Sequence, residues 1–301
     1  MTTNPPRREQ PSTYFVQDRS DQEELTRVQL QGQMVTASMG GILPEQPDPT
    51  IFHRVLDIGC GTGDWLISAA KTYPSMSRLI GIDISKRMID YARAQAEAQQ
   101  VSDRVEFHVM DALLMLEFPN TYFDLVNQRF GLSWLRTWDW PKLLQECQRV
   151  TRRGGVIRIT ESDTFLDSGS LARTRLLEMT LDAFYRAGHF FIRERNGVTS
   201  QLAHLLRQHG IQNVQTRSYA LEYRADTPEG QRFYEDIKLA YRTVIPFFRK
   251  WTRVPEDYET IYQQMLSEMQ QPDFVATWNL LTAWGQAPGY YNNRMSYDIP
   301  G

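Results

Sequence analysis

Apolar and polar residues along this chain fall into blocks whose period switches repeatedly between two and about three and a half. Residues 51–57, 78–83, 104–110 and 122–127 are short apolar runs bounded by turn formers, and each predicts a strand. Between them, residues 64–73 and 86–98 carry helical spacing, with Ser85 placed to cap the second helix. Residues 138–150 predict a further helix with Pro141 in its first turn. Gly154-Gly155 then predicts a turn, and residues 156–161 a fifth strand. Strands separated by helices of this length imply an α/β fold with a doubly wound, mostly parallel sheet.

Flanking segments follow other rhythms. Residues 20–39 predict a helix capped by Ser20 or Asp21, with Leu25, Val28, Val35 and Met39 on one stripe and Gly32 among them. A glycine inside a helix costs about 1 kcal/mol relative to alanine. It marks either a tolerated kink or a place where the helix comes close over a ligand. Past the fifth strand, residues 164–196 look helical, as do 198–208, 228–250 and 255–270, and strands are predicted at 211–223 and 274–285. The expected organisation is a flexible tail at 1–19, a capping helix and linker at 20–50 and a core at 51–163. Helical lid insertions follow at 164–196 and 225–272. The rest of the core sheet falls at 197–224 and 273–301.

Composition narrows the class. The 301 residues suit one large α/β domain with insertions, and a net charge of -3 argues against a whole-surface nucleic-acid binder. Two cysteines, Cys60 and Cys147, make no disulfide framework, so a reducing cytoplasm is expected. No apolar run reaches the roughly 18 residues of a spanning helix. The polar start of the chain, with Pro5, Pro6, Arg7 and Arg8, lacks the apolar core of a signal peptide and reads as a short tail.

Candidate chemistry sits at the strand ends, where open α/β sheets bind ligands. Residues 55–64 read Val-Leu-Asp-Ile-Gly-Cys-Gly-Thr-Gly-Asp. Their spacing is G-x-G-x-G, and Asp64 stands where a dinucleotide loop has its third glycine. A carboxylate there disfavours a pyrophosphate and suits a cation such as the α-amino group of a methionyl moiety. Asp83 ends the second strand, where one carboxylate can accept from two ribose hydroxyls. Asp111, ahead of Ala112, follows the third strand, where it can accept from an adenine amino group.

These motifs, with Leu-Ile-Gly-Ile-Asp-Ile-Ser at 79–85, Val-Met-Asp-Ala at 109–112 and Phe-Asp-Leu-Val at 123–126, resemble a class I SAM-dependent methyltransferase, a seven-stranded Rossmann-like fold. Arg152-Arg153-Gly154-Gly155, within 144–159, follows in the family's order, so the resemblance covers residues 51–161. Residues 202–214 and 278–288 resemble the family's closing helix and antiparallel strand pair. Within the family the chain is most similar to natural-product enzymes with an N-terminal capping helix. The resemblance implies S-adenosylmethionine (SAM) as cofactor and S-adenosylhomocysteine (SAH) as product. It assigns Asp57, Gly59, Cys60 and Gly61 to the methionyl end. Asp83, Ile84 and Met88 go to the ribose and adenine, and Asp111 and Ala112 to the adenine edge. Asn127 and Gln128 would lie near the sulfonium and amino group. Arg129 would touch a methionyl or substrate carboxylate, or pair with an acid such as Asp124. Neither Asn-Pro-Pro-Tyr nor Asp-Pro-Pro-Tyr follows the fourth strand, so transfer to a nucleobase or glutamine amino group is not indicated. No His/Cys cluster has zinc-ligand spacing, so no metal is expected.

An acceptor that begins protonated needs a base. Glu161, the first acid beyond the fifth strand's apolar run, is the leading candidate, with Asp163 behind it and His189 weaker. The alternative readings are a structural carboxylate anchoring the lid for Glu161 and a packed ring for His189. Tyr14 and Phe15 are placed to close over a substrate, and Tyr185, Phe190, Tyr234 and Tyr241 to line an aromatic lid. The expected activity is methylation of a small hydrophobic metabolite at C, O, N or S, in secondary metabolism, without nucleic-acid or membrane partners. The amphipathic N-terminal helix leaves a homo-oligomer open. The alternatives are an RNA or protein methyltransferase and a SAM-binding regulator or cyclase that transfers no methyl group.

Overall fold

The structure, a computed structural model, describes residue 14 and residues 22–164, 166–167 and 170–288. Apart from Tyr14, the expected tail lies outside the described residues, as do the caps Ser20 and Asp21, Phe15 and residues 289–301. Five strands form the parallel part of the sheet: β1 (Arg54–Ile58), β2 (Arg78–Asp83), β3 (Val105–Val109), β4 (Phe123–Arg129) and β5 (Thr151–Ser162). The two-residue β6 (Leu166–Asp167) is followed by the long β7 (Gln212–Arg224) and β8 (Val275–Gln286). The order is β3-β2-β1-β4-β5-β8, with β8 antiparallel to β5, to β6 and to the outer strand β7. The sheet is thus seven full strands plus one short segment, as the sequence implied.

Alternation along each strand builds two cores. Val55 lies beside Leu79 and Leu125, while the next register level brings together Leu56, Ile80 and Val126. The first set faces α2 (Asp64–Thr72) and α3 (Lys86–Ala98), meeting Trp65, Leu66, Ile89 and Ala92. The second faces α4 (Trp140–Val150) through Trp140, Leu143, Leu144 and Cys147. This opposite-face placement is what a pleat of period two dictates.

Helix α1 (Gln22–Ser38) crosses the carboxyl ends of the strands and packs on α2 and on α7 (Pro228–Thr243). Its apolar stripe is therefore covered within its own chain: Leu25, Val35 and Met39 are buried. Helices α5 (Leu171–Arg186), α6 (Thr199–Gln208), α8 (Ile245–Trp251) and α9 (Tyr258–Glu268) complete the molecule. Helices α5, α7 and α8 cover the same end of the sheet as α1, and α9 packs on α5 and α7.

Three sequence expectations are corrected. Residues 164–196 are not one helix: α5 ends at Arg186, where Gly188 turns with φ +83 and the amides of Gly188 and His189 close back on Tyr185 and Phe184. The expected helix at 228–250 is two, because Pro246 has no N–H to return to the preceding turn, and α7 gives way to α8 at Val244. Gly154-Gly155 lies inside β5. Thr151 pairs with Phe123 but Val156 with Leu125, so the intervening residues bulge without ending the strand.

Candidate active site

The glycine loop leaves β1 at Ile58 and enters α2 at Asp64. Gly59, Gly61 and Gly63 have φ of +68, +53 and +76, values that side-chain-bearing residues avoid. At Gly63 a Cβ would also fall 2.5 Å from the Phe107 ring and 2.8 Å from Ala92, so the loop fits only with glycine there. The loop is tied to β2: Cys60 N–H donates to Ile82 O at 2.9 Å and Gly61 N–H to Asp83 Oδ2 at 3.1 Å. The other oxygen of Asp83 accepts from Ser85 N–H at 2.8 Å, which starts α3, where Ser85 is the cap.

In front of this loop lies a cavity of about 380 Å³, a size typical of small-ligand sites. Its first half is polar and lined by Asp57, Gly59, Cys60, Gly61, Asp64, Asp83, Ile84, Met88, Asp111, Ala112 and Arg129. Asp111 accepts from Leu113 N–H at 2.9 Å, a turn that directs the carboxylate at the strand end. Helix α1 closes this half from above. Val28 Cγ1 lies against Gly61, and Gly32 faces the Asp64 carboxylate, so the close approach of the helix is realised. Asp64 also accepts from Gln33 at 3.2 Å.

Asp57 is the electrostatic centre of that half. Burial pushes its carboxyl up to about 6, against the pull of Arg129 and of the hydrogen bond from Asn127. Desolvation likewise lowers the Arg129 guanidinium to about 10, which leaves it charged at neutral pH. Arg129 donates to Thr36 at 3.0 Å and faces the cavity. Pairing with Asp124 is not what it does. Asp124 is held at the opposite end of β4 by Arg152 at 2.6 Å and by the amides of His53 and Arg54.

Several assignments move. Asn127 and Gln128 are fully buried strand residues and do not line the cavity, because β4 runs on to Arg129. Asn127 acts from behind, donating to Asp57 at 2.7 Å while accepting from Arg158 at 2.8 Å; Arg158 in turn forms a buried ion pair with Glu45. Glu161 is inaccessible as well, since β5 continues to Ser162. Its oxygens accept from Gly131 N–H at 2.7 Å and Leu132 N–H at 3.1 Å, which anchors the turn at Gly131–Ser133. Burial raises its carboxyl to about 8. It is a support, not a base in contact with ligand. His189 is packed among Phe184 and Phe247, with Nδ1 at 2.8 Å from Leu135 O. Tyr185 is half exposed at the surface, and Tyr234 lies beside Lys238; neither lines the cavity.

The second half of the cavity is aromatic. Phe130, Trp134, Phe184, Phe190, Tyr241, Phe248 and Trp278 line it, together with Asp163, whose carboxylate accepts from Thr199. Tyr14, Glu24, Arg27, Gln31 and Asp236 make a polar wall at its far side. Of these only Tyr14 was anticipated. Glu24, Arg27 and Gln31 were signalled by their three- and four-residue spacing on the helix that carries Gly32.

A protein-family model described as a methyltransferase domain matches residues 55–155, the segment that builds the glycine loop and the three acidic strand ends. The chain carries a class I SAM-dependent methyltransferase domain. Demethylmenaquinone methyltransferase of Lactiplantibacillus plantarum is 41% identical to it over 101 residues, covering 34% of this chain and 41% of that protein. Carboxy-S-adenosyl-L-methionine synthase of Helicobacter hepaticus is 32% identical over 110 residues, covering 36% and 44%. The chain thus spans less than half the length of these curated relatives. Among solved structures, phosphoethanolamine N-methyltransferase 2 of Haemonchus contortus, in complex with phosphomonomethylethanolamine and SAH, superposes with a TM-score of 0.54 at 17% identity. That match covers 91% of this chain and 60% of the other, and shows the shared fold.

The cofactor of this methyltransferase domain is SAM, and the site fits it. A buried carboxylate facing the cavity, Asp57, raised by desolvation, suits an ammonium. Asp83 suits a diol, and the open edge at Asp111 and Ala112 suits an adenine. Arg129 in the same half suits a carboxylate. Among the described residues no cluster of His, Cys, Asp or Glu could hold a metal ion, and no helix is long and apolar enough to cross a membrane.

Proposed function

We propose that the whole chain is a SAM-dependent methyltransferase acting on a small, largely apolar metabolite, of the kind secondary metabolism makes. The observation that carries this reading is the continuity of the cavity: an acidic, glycine-walled half opens directly into an aromatic chamber. Held there, SAM supplies a methyl group on a sulfonium that is already a good leaving group. The protein's task is alignment and exclusion of water, which supply most of the help in such a displacement.

Each half has a part in this. Asp57 and Arg129 would hold the opposite charges of the methionyl end at the loop, and Asp83 and Asp111 would hold the ribose and adenine, on the side of the cavity that opens into the chamber. Trp134, adjoining Gly59, stands where the halves meet. Residues of α1, α5, α7 and α8 line the cavity and cover it from one side. Asp163, on the chamber wall and raised by burial, is the carboxylate placed to take a proton there, in place of Glu161.

Incubating the protein with methyl-labelled SAM and a cell extract tests the reading. Label is expected in the solvent-extractable small-molecule fraction. Label in protein or RNA would overturn the substrate class. SAH binding without any label transfer would favour a regulator or cyclase.

A further inference from the structure

The polar wall of the chamber is built from two elements distant in sequence. On α1, Glu24, Arg27 and Gln31 share a face; Asp236 meets them from α7. Arg27 engages Glu24 with two nitrogens, each at 2.8 Å, and reaches Asp236 Oδ1 with the third at 3.2 Å. Tyr14 donates its hydroxyl to Glu24, and Gln31 donates to Asp236 Oδ2 at 3.2 Å. Glu24, Arg27 and Asp236 are 2%, 3% and 1% exposed.

Charge decides what this wall wants. Within this cluster, among the described residues, two carboxylates stand against one guanidinium, and burying an uncompensated charge is costly. Asp236 is the acid that joins α7 to α1, while Glu24, within α1, takes the two shorter contacts of Arg27. Asp236 is left with longer contacts from one guanidinium nitrogen and one amide, although a carboxylate offers about four acceptor positions. Burial accordingly drives its carboxyl above the usual range. The cavity it lines is largely apolar on this side: Ile237, Ala240, Val244, Phe248 and Phe184 line it, with Arg173 and Thr180 of α5 as polar members.

We propose that Asp236 and Glu24 receive the protonated amine of a substrate whose apolar body fills the aromatic chamber. The proposal rests on the methyltransferase reading and names its substrate class. Val28 and Gly32 face the glycine loop, while Arg27 and Gln31, one position earlier, face α7. The amine is therefore held across α1 from the methionyl end, as an anchor for the substrate.

Calorimetry on the SAH-saturated protein near neutral pH tests this with three probes of one shape: phenylbutylamine, phenylbutanol and phenylbutanoate. The amine is expected to bind at least about tenfold more tightly than the alcohol, with the carboxylate weakest, since like charges brought together repel. Asp236→Asn is expected to erase the preference for the amine and leave SAH affinity unchanged. Equal binding of amine and alcohol by the wild-type protein would overturn the proposal, whatever the variant does. So would a preference that survives in a folded Asp236→Asn protein. Failure of SAH itself to bind would instead remove the reading on which the proposal stands.

Discussion

Arg158 offers a perturbation whose effects on stability and on cofactor binding separate. Its side chain is 1% exposed; Nε lies 2.7 Å from Glu45 Oε1 and Nη2 3.3 Å from Oε2. Its Nη1 donates to Asn127 Oδ1 at 2.8 Å. A guanidinium can only donate, so it turns the Asn127 oxygen towards itself and the amide nitrogen towards Asp57. Arg158→Met leaves Glu45 buried and unpaired, which costs about 3–5 kcal/mol. At about 2–4 °C per kcal/mol for a chain of this order of size, the melting temperature should fall by roughly 10 °C. Replacing both partners, Glu45→Met with Arg158→Met, removes the stranded charge and should recover most of that loss. It does not restore the donor aimed at Asp57. SAH affinity should therefore stay about fivefold weaker in both proteins, the effect of about 1 kcal/mol from one hydrogen bond. Scanning fluorimetry and calorimetry measure the two quantities. A single variant that melts within about 3 °C of wild type, or a double variant no more stable than the single, would refute the reasoning.

Three further outcomes are expected. SAH affinity should be level near neutral pH and decline below about 6, because protonation of Asp57 removes the charge that meets the ligand's ammonium; Asp57→Asn should weaken binding and flatten that acid limb. Glu161 is raised in the folded chain from 4.5 to about 8, so the stability it contributes is full below 4.5 and lost as pH rises through 8. At about 1.36 kcal/mol per pKa unit the loss is bounded by roughly 5 kcal/mol. Glu161→Gln should show a flatter dependence of melting temperature on pH between 5 and 9. Gly32→Ala places a Cβ 3.7 Å from Asp64 Oδ2, an ordinary contact, and removes a helix-interior glycine. The ligand-free protein should gain up to about 1 kcal/mol while its stabilisation by SAH shrinks, as paired thermal scans with and without SAH would show.

How much of this was legible follows from how local each feature is. The glycine loop and its acids were readable because they sit within a few residues of one strand end, where φ and spacing are dictated by neighbours. Asn127 and Glu161 were misplaced for a common reason. Both β4 and β5 extend past the point where the apolar pattern stops, so polar residues expected at the sheet's edge are buried inside it, Glu161 opposite Leu281 of β8. The break at Pro246 and the cap at Gly188 carried visible signals that the long apolar stripe outweighed. The polar wall was legible only in Tyr14: Arg27 and Asp236 meet across 209 positions of sequence, and only packing of α1 on α7 brings them together.

The central claim is that the loop at 57–64 and the acids at 83 and 111 form a SAM site. Calorimetric titration of the purified chain with SAH, and separately with NAD, tests it most directly. One saturable SAH site per chain, weakened at least about tenfold by Asp57→Asn and with no NAD binding, is the predicted result, a factor equal to about 1.4 kcal/mol. Binding of NAD in preference to SAH, or no SAH binding by the folded protein, would contradict it.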